Sequence, residues 1–273
     1  MPPSTGSTSQ VRLGTCSWST SDWVGKVYLP GTKPVDYIAQ YAQRFKTVEV
    51  DSSFYGTPRI GTIEGWRDRT PPEFIFSAKA PQVITHDKML LDCQRELQEF
   101  LNAMTLLGDR LGPLVFQFPY YSKKTGVDEK TFLTRLDAFL PLLPRDSHRF
   151  VVEVRNKAWI TKRLLALLRE HHVTLAFIDH PWMHSPEWFS RHEELLTGDF
   201  AYFRWLGDRY GIEKLTKTWG EHVIDRRNDI ARWVPAIKQI LDKEIPVFGY
   251  FNSHYSGYAP GDVEILSELL GLR

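Results

Sequence analysis

The chain has 273 residues, a formal net charge of +1, two cysteines and nine tryptophans. That length supports one large core, and the near-neutral balance gives no bulk electrostatic pull toward nucleic acid or an anionic membrane. Two cysteines make no disulfide framework and no apolar run approaches the roughly 18 residues that span a bilayer, so a soluble, cytoplasmic protein with no membrane partner is expected.

Residues 1–10 are rich in Ser, Thr, Pro and Gly and read as a disordered tail. Short apolar runs at 11–17, 47–52, 74–79, 114–118, 149–154, 173–178, 200–206 and 247–251 read as eight strands. Helical spacing recurs between them, at 34–45, 60–69, 92–107, 128–140, 160–171 and 229–241, with a closing helix at 263–270. The strands are apolar on both faces, as parallel strands covered by helices are. Eight β-then-α units over 11–273 predict a single α/β domain, a (β/α)8 barrel of the TIM type. An open doubly wound sheet is the alternative; no Gly-x-Gly-x-x-Gly or P-loop follows any strand to support it. Two long irregular stretches, 180–199 and 207–227, follow the sixth and seventh strands, on the face where such barrels carry their functional loops.

The stretch Thr47-Val-Glu-Val-Asp-Ser-Ser-Phe-Tyr55 is the most informative. Residues two apart share a strand face, so Glu49 and Asp51 point one way and Val48 and Val50 the other. In a central strand both acids enter a shared interior, where charge is costly unless paired or solvated. Other strands end in polar residues too: Trp18 after the first, Lys79 on the third, Gln117 on the fourth, Glu153 and Arg155 on the fifth, Asp179 on the sixth and Arg204 on the seventh. Asn252 and His254 follow the eighth. In a barrel these ends converge on one mouth. Glu153 and Arg155 share a face and are expected to pair. The bases Lys79, Arg155 and Arg204 suit an anion such as phosphate or carboxylate, and the acids Glu49, Asp51, Glu153 and Asp179 suit acid–base work or the positioning of those bases. The same groups equally fit an internal salt-bridge network.

Glu49, Glu153, Asp179, His86 and His254 offer oxygen and nitrogen ligands for a divalent metal. Three cations in the same mouth oppose a metal, and no His/Cys spacing supports one, so no metal or other cofactor is expected. Cys16 reads as a small buried hydrophobe rather than a nucleophile. His86, in the loop after the third strand, is either a strut or a base. Tyr55, Trp182 and Trp188 add aromatic surfaces of the kind that stack on sugars or bases, and Arg209, Lys214, Lys217, Arg226 and Arg227 add a basic rim.

Gly14-Thr-Cys-Ser-Trp18, the 47–55 stretch, Lys79-Ala-Pro81 with Ile84-Thr-His86, Gln117-Phe-Pro119, Glu153-Val-Arg155, Asp179, and Tyr250-Phe-Asn252 with Gly257-Tyr-Ala-Pro260 together resemble the YecE-like family, catalogued as domain of unknown function seventy-two. The resemblance runs from about Val11 to the C-terminus and implies a TIM-barrel-like fold without an established chemistry. Its distant likeness to xylose-isomerase and apurinic-endonuclease barrels suggests nucleic acid as a partner by fold analogy. The chain departs from the family pattern at Arg204-Trp-Leu-Gly207, where many members read Arg-x-His-Gly, and at Phe251-Asn-Ser253, where many read Phe-Asn-Asn. The expected function is an enzyme acting on an anionic or phosphorylated small molecule at the barrel mouth. Lys79, Arg155 and Arg204 would hold the anion, and Glu153 or Asp179 would move the proton. A nucleic-acid-binding or processing barrel and a non-catalytic ligand-binding protein are the alternatives.

Overall fold

Strands that are apolar on both faces must be covered on both, and one chain of eight does this by curling the sheet round its own inner side chains and laying helices on the outside. The computed structural model describes residues 10–272, so nearly all of the tail read at 1–10 lies outside the described residues. The strands are β1 (Val11–Thr15), β2 (Thr47–Val50), β3 (Ile75–Lys79), β4 (Leu111–Gln117), β5 (Phe150–Glu153), β6 (Thr174–Asp179), β7 (Ala201–Trp205) and β8 (Val247–Phe251). All pair in parallel, in the order β1-β8-β7-β6-β5-β4-β3-β2. The helices are α1 (Tyr37–Arg44), α2 (Ile60–Asp68), α3 (Gln94–Thr105), α4 (Glu129–Phe139), α5 (Lys162–Glu170), α6 (Pro186–Ser190), α7 (Arg209–Ile212), α8 (Arg227–Ala231), α9 (Val234–Leu241) and α10 (Ala259–Leu270). The result is a nearly closed barrel of the TIM type, as the alternation predicts. Among the described residues no helix is long and apolar enough to cross a membrane.

Two apolar layers follow from strand parity. Val48, Val50, Phe76, Leu114, Phe116 and Leu175 pack outward against the helices. Cys16, Val115, Val151, Ala176, Ile178, Tyr202 and Tyr250 fill the barrel. The helix expected over 229–241 is split into α8 and α9, with Pro235 in the first turn of α9, where its missing N–H removes no helical bond. By the same logic Pro260 sits in the first turn of α10, which starts four residues before the expected 263. The irregular stretches contain the short helices α6 and α7.

The barrel closes at the seam between β1 and β2. Tyr41 of α1 reaches into it. Its hydroxyl accepts from the Thr15 N–H at 2.9 Å and donates to the Thr47 carbonyl at 3.1 Å, so one phenol joins two backbones. Gly14 lets those strands approach: a β-carbon there would lie 2.1 Å from the Thr47 carbonyl oxygen. Tyr41→Phe leaves both buried backbone groups without a partner, and such groups cost about 1–3 kcal/mol together with the lost bonds. Denaturant unfolding is expected to show a loss of that size with an unchanged m-value.

Candidate functional site

The inward side of β2 starts a polar network that crosses the barrel. Thr47 Oγ1 lies 2.7 Å from the Tyr250 hydroxyl. Glu49 Oε2 accepts from the Tyr202 hydroxyl at 2.7 Å, and Ser77 Oγ lies 2.6 Å from the same phenol oxygen. Arg204, projecting inward from β7, donates from Nη2 to Glu49 Oε1 at 2.6 Å and from Nη1 to Glu153 Oε2 at 2.5 Å. Glu153 Oε1 accepts from Arg155 Nε at 2.6 Å, the pairing expected from their shared face. Glu49, Glu153 and Arg204 are all buried. Burial alone would raise the Glu153 carboxyl, but Arg155 and Arg204 outweigh it and hold it at about 2. Burial, reinforced by Glu49, raises the Cys16 thiol well above its ordinary value, which keeps it an inert hydrophobe.

Above this network the barrel mouth opens into a chamber of about 570 Å³. Asp51, Lys79, Gln117, Arg155, Arg204, Asn252, His254, His86 and Tyr55 all line it. Lys79 Nζ lies 3.3 Å from Asp51 Oδ1 and 3.7 Å over the Phe54 ring. Arg155 is fixed through Nε alone; its two terminal nitrogens make no hydrogen bond among the described residues. Three imidazoles face the space. Burial, then the Lys79 charge, holds His86 down to about 4. Burial and Arg155 lower His180, and burial and Arg209 lower His254 despite the nearby Glu213. Asn252 Oδ1 accepts from the His254 backbone N–H at 2.9 Å and lies 2.6 Å from its Nδ1, which fixes the ring. Gly207, at φ +68°, carries the chain past the β8 loop, where a β-carbon would meet the His254 carbonyl at 2.6 Å.

Four expected site residues are placed elsewhere. Glu49 and Glu153 lie beneath the chamber, each bonded to Arg204, and neither is among the residues that line it. Asp179 has the outward parity of Leu175 and Phe177. Its Oδ2 accepts from Trp233 Nε1 at 2.6 Å and from the Tyr255 hydroxyl at 2.9 Å, in a separate hollow of about 250 Å³. Burial raises the Asp179 carboxyl, opposed by those two bonds. Trp18 is also out of the chamber: β1 ends at Thr15, the chain turns, and the indole packs edge-on against Trp66 and Phe76. Conversely, Phe54, Tyr120, His180 and Tyr210 line the chamber without having been singled out by sequence. His180 was legible from parity, because it continues the inward series Ala176, Ile178. Trp182 and Arg209, expected at the loops and rim, line it as well, whereas Trp188 stacks on His184 and His192. Among the described residues no group of three or more His, Cys, Asp or Glu is arranged to hold a metal ion.

Removing the charge of Glu153 leaves two arginines facing each other at the floor. Glu153→Gln is expected to lose about 3–5 kcal/mol, the cost of stranding a buried partner charge. The folded value near 2 lies below the unfolded one, so the wild-type contribution is complete above the unfolded value and fades as pH falls toward about 2. Urea unfolding at stepped pH is therefore expected to show a shallower acid decline in the variant than in the wild type.

The chain resembles several known proteins. It is 30% identical over 152 residues to the UPF0759 protein YecE of Escherichia coli strain K12, covering 56% of this chain and 51% of YecE. The chain thus spans about half the length of that curated relative. A crystal structure of a DUF72 family protein from Thermotoga maritima superposes with a TM-score of 0.75 at 23% identity, over 96% of this chain and 99% of that one. D-psicose 3-epimerase, crystallised in the presence of D-fructose, superposes with a TM-score of 0.58 at 10% identity, over 95% of this chain and 99% of that one. At these identities the two structural likenesses speak for the barrel fold alone. Residues 12–273 match the family described as "Protein of unknown function DUF72", and the chain belongs to that family.

Proposed function

We propose that the barrel mouth binds a small organic anion and that the protein is an enzyme acting on it. The observation that carries this reading is Arg155: it lines the chamber, its Nε is committed to Glu153, and its terminal nitrogens make no hydrogen bond among the described residues. A half-buried guanidinium oriented by a carboxylate behind it is a preorganised half of a bidentate anion clamp. Lys79 lies on the same wall. Asp51 is the one carboxylate lining the chamber among the described residues, and it is the group placed to move a proton.

A small ligand fits better than a nucleic-acid strand. Three of the five rim bases are matched by acids: Arg209 with Glu213, Arg226 with Asp229 and Arg227 with Glu268. A strand needs a continuous basic track, which these pairs interrupt. The two free, buried thiols suit a reducing, cytoplasmic setting.

Isothermal titration with sulfate is expected to detect one site, weakened about tenfold or more by Arg155→Ala, the scale of a charge-assisted hydrogen-bond pair. Absence of sulfate binding, or equal binding by the variant, would overturn the reading. His86, His180 and His254 are all pushed toward the neutral form, His86 as far as about 4. Sulfate affinity is accordingly expected to stay flat between about pH 6.5 and 8, where an unperturbed histidine would begin to charge.

A further inference from the structure

Water-facing aromatic rings are not spread over this molecule. Among the described residues the exposed ones are Tyr55 (74%), Tyr120 (56%), Trp182 (60%) and Tyr210 (71%). All four line the same chamber, and they come from four different loops, those after β2, β4, β6 and β7. Tyr120 and Trp182 meet edge to face with centroids 6.5 Å apart, on either side of the loop that carries Arg155. A soluble protein buries large rings where it can, and a set left in water around one opening marks a binding surface.

The groups below the rim narrow the chemistry. Lys79, Arg155, Arg204 and Arg209 are matched by Glu49, Asp51, Glu153 and Glu213, so four cations meet four carboxylates and the mouth has no large net charge. That balance suits a ligand with a single acidic group. The other polar groups facing the space are neutral and of both kinds. Gln117 Nε2 is committed to the Phe118 carbonyl, leaving Oε1 as an acceptor, and Asn252 Oδ1 is committed to His254, leaving Nδ2 as a donor. Asp51 Oδ1 is buried and ion-paired with Lys79 Nζ at 3.3 Å, and among the described residues it accepts no hydrogen bond. Hydroxyl groups donate and accept at once, and a polyol is what such a mixed set satisfies. The C–H faces of a sugar ring, in turn, pack on aromatic side chains.

We infer that the ligand is an acidic sugar: a pyranose or furanose bearing one carboxylate or phosphate, its acid on Arg155 and Lys79, its hydroxyls on Asp51, Gln117 and Asn252, and its ring against Tyr120 and Trp182. This rests on the anion-site reading above. The sugar acid and the sugar phosphate share this chemistry, and the test separates them.

Titration calorimetry and saturation-transfer NMR would use D-glucuronate, D-glucose 6-phosphate, D-glucose, acetate and AMP as probes. D-glucuronate or D-glucose 6-phosphate is expected to bind about tenfold more tightly than acetate, a gain of the size one stacked ring supplies. Whichever binds more tightly identifies the acid. Trp182→Ala, at an exposed position, is expected to remove that tenfold gain while leaving acetate binding unchanged. Equal binding of acetate and both sugars, with no effect of Trp182→Ala, would overturn the ring assignment and leave the anion site standing. AMP binding more tightly than either sugar would replace the sugar with a nucleobase. Binding of D-glucose as tight as that of its acids, unaffected by Arg155→Ala, would sink the anion site itself.

Discussion

The structure depends on one guanidinium. Arg204 crosses the barrel interior from β7 to reach Glu49 on β2 and Glu153 on β5, and all three side chains are buried. Taking such charges out of water is expensive, and the cost is offset only where geometry and further hydrogen bonds complete the pairing. Here Tyr202 serves the second oxygen of Glu49 and Arg155 the first of Glu153. Isolated, any one of these groups would be untenable at that depth; together they form a rigid polar layer between the apolar plug and the open mouth. Such a layer contributes less to net stability than an apolar filling of the same volume. What it supplies is orientation.

Orientation matters because two carboxylates, Glu49 and Glu153, lie behind the cations. Glu153 holds Arg155 by Nε, which turns the terminal nitrogens toward the chamber. Lys79 is steadied by Asp51 and by the face of Phe54. The cations therefore stand nearer the chamber than Glu49 and Glu153, although positive and negative groups around the mouth are equal in number. Burial, and after it a nearby cation, lowers each neighbouring imidazole: Lys79 acts on His86, Arg155 on His180 and Arg209 on His254. Local arrangement, not the chain's total charge of +1, sets the electrostatics of this site.

The barrel was legible because its signals are local and repeated: eight apolar runs of strand length are set among seven helical stripes, and each run points to the same fold. The polar layer was legible where strand parity held. Glu49, Asp51, Lys79, Gln117, Glu153, Arg155 and Arg204 all project inward, two residues from inward neighbours. Asp179 was misplaced because a polar residue at a strand end attracts attention whichever way it points; counting from Ala176 and Ile178 selects His180 instead. Trp18 was misplaced because the expected strand runs to residue 17, whereas β1 stops at Thr15 and the chain turns before the indole. The division between the acid that lines the chamber and the acids buried beneath it was not legible at all. It depends on depth along the barrel axis, with Glu49 locked below and Asp51 open above on one strand, and depth is set by how partner strands stagger, which no single segment records.

Asp179 nonetheless has a part in the chamber, from outside it. Its carboxylate is gripped by Trp233 of the α8–α9 junction and by Tyr255 after β8, and its backbone carbonyl accepts from the N–H groups of Leu206 and Gly207 after β7. Three loops are thus tied at the point where the β6 strand gives way to His180 and Trp182. The next side chain along the strand turns inward, so the residue that parity sends outward fixes the starting direction of the loop that carries the rim. A ring left in water can serve recognition only if its backbone does not wander, since every order of freedom lost on binding subtracts from affinity. The outward acid thus anchors the start of the loop that carries the exposed indole, and strand periodicity sends Asp179 outward and the next residue, His180, toward the chamber.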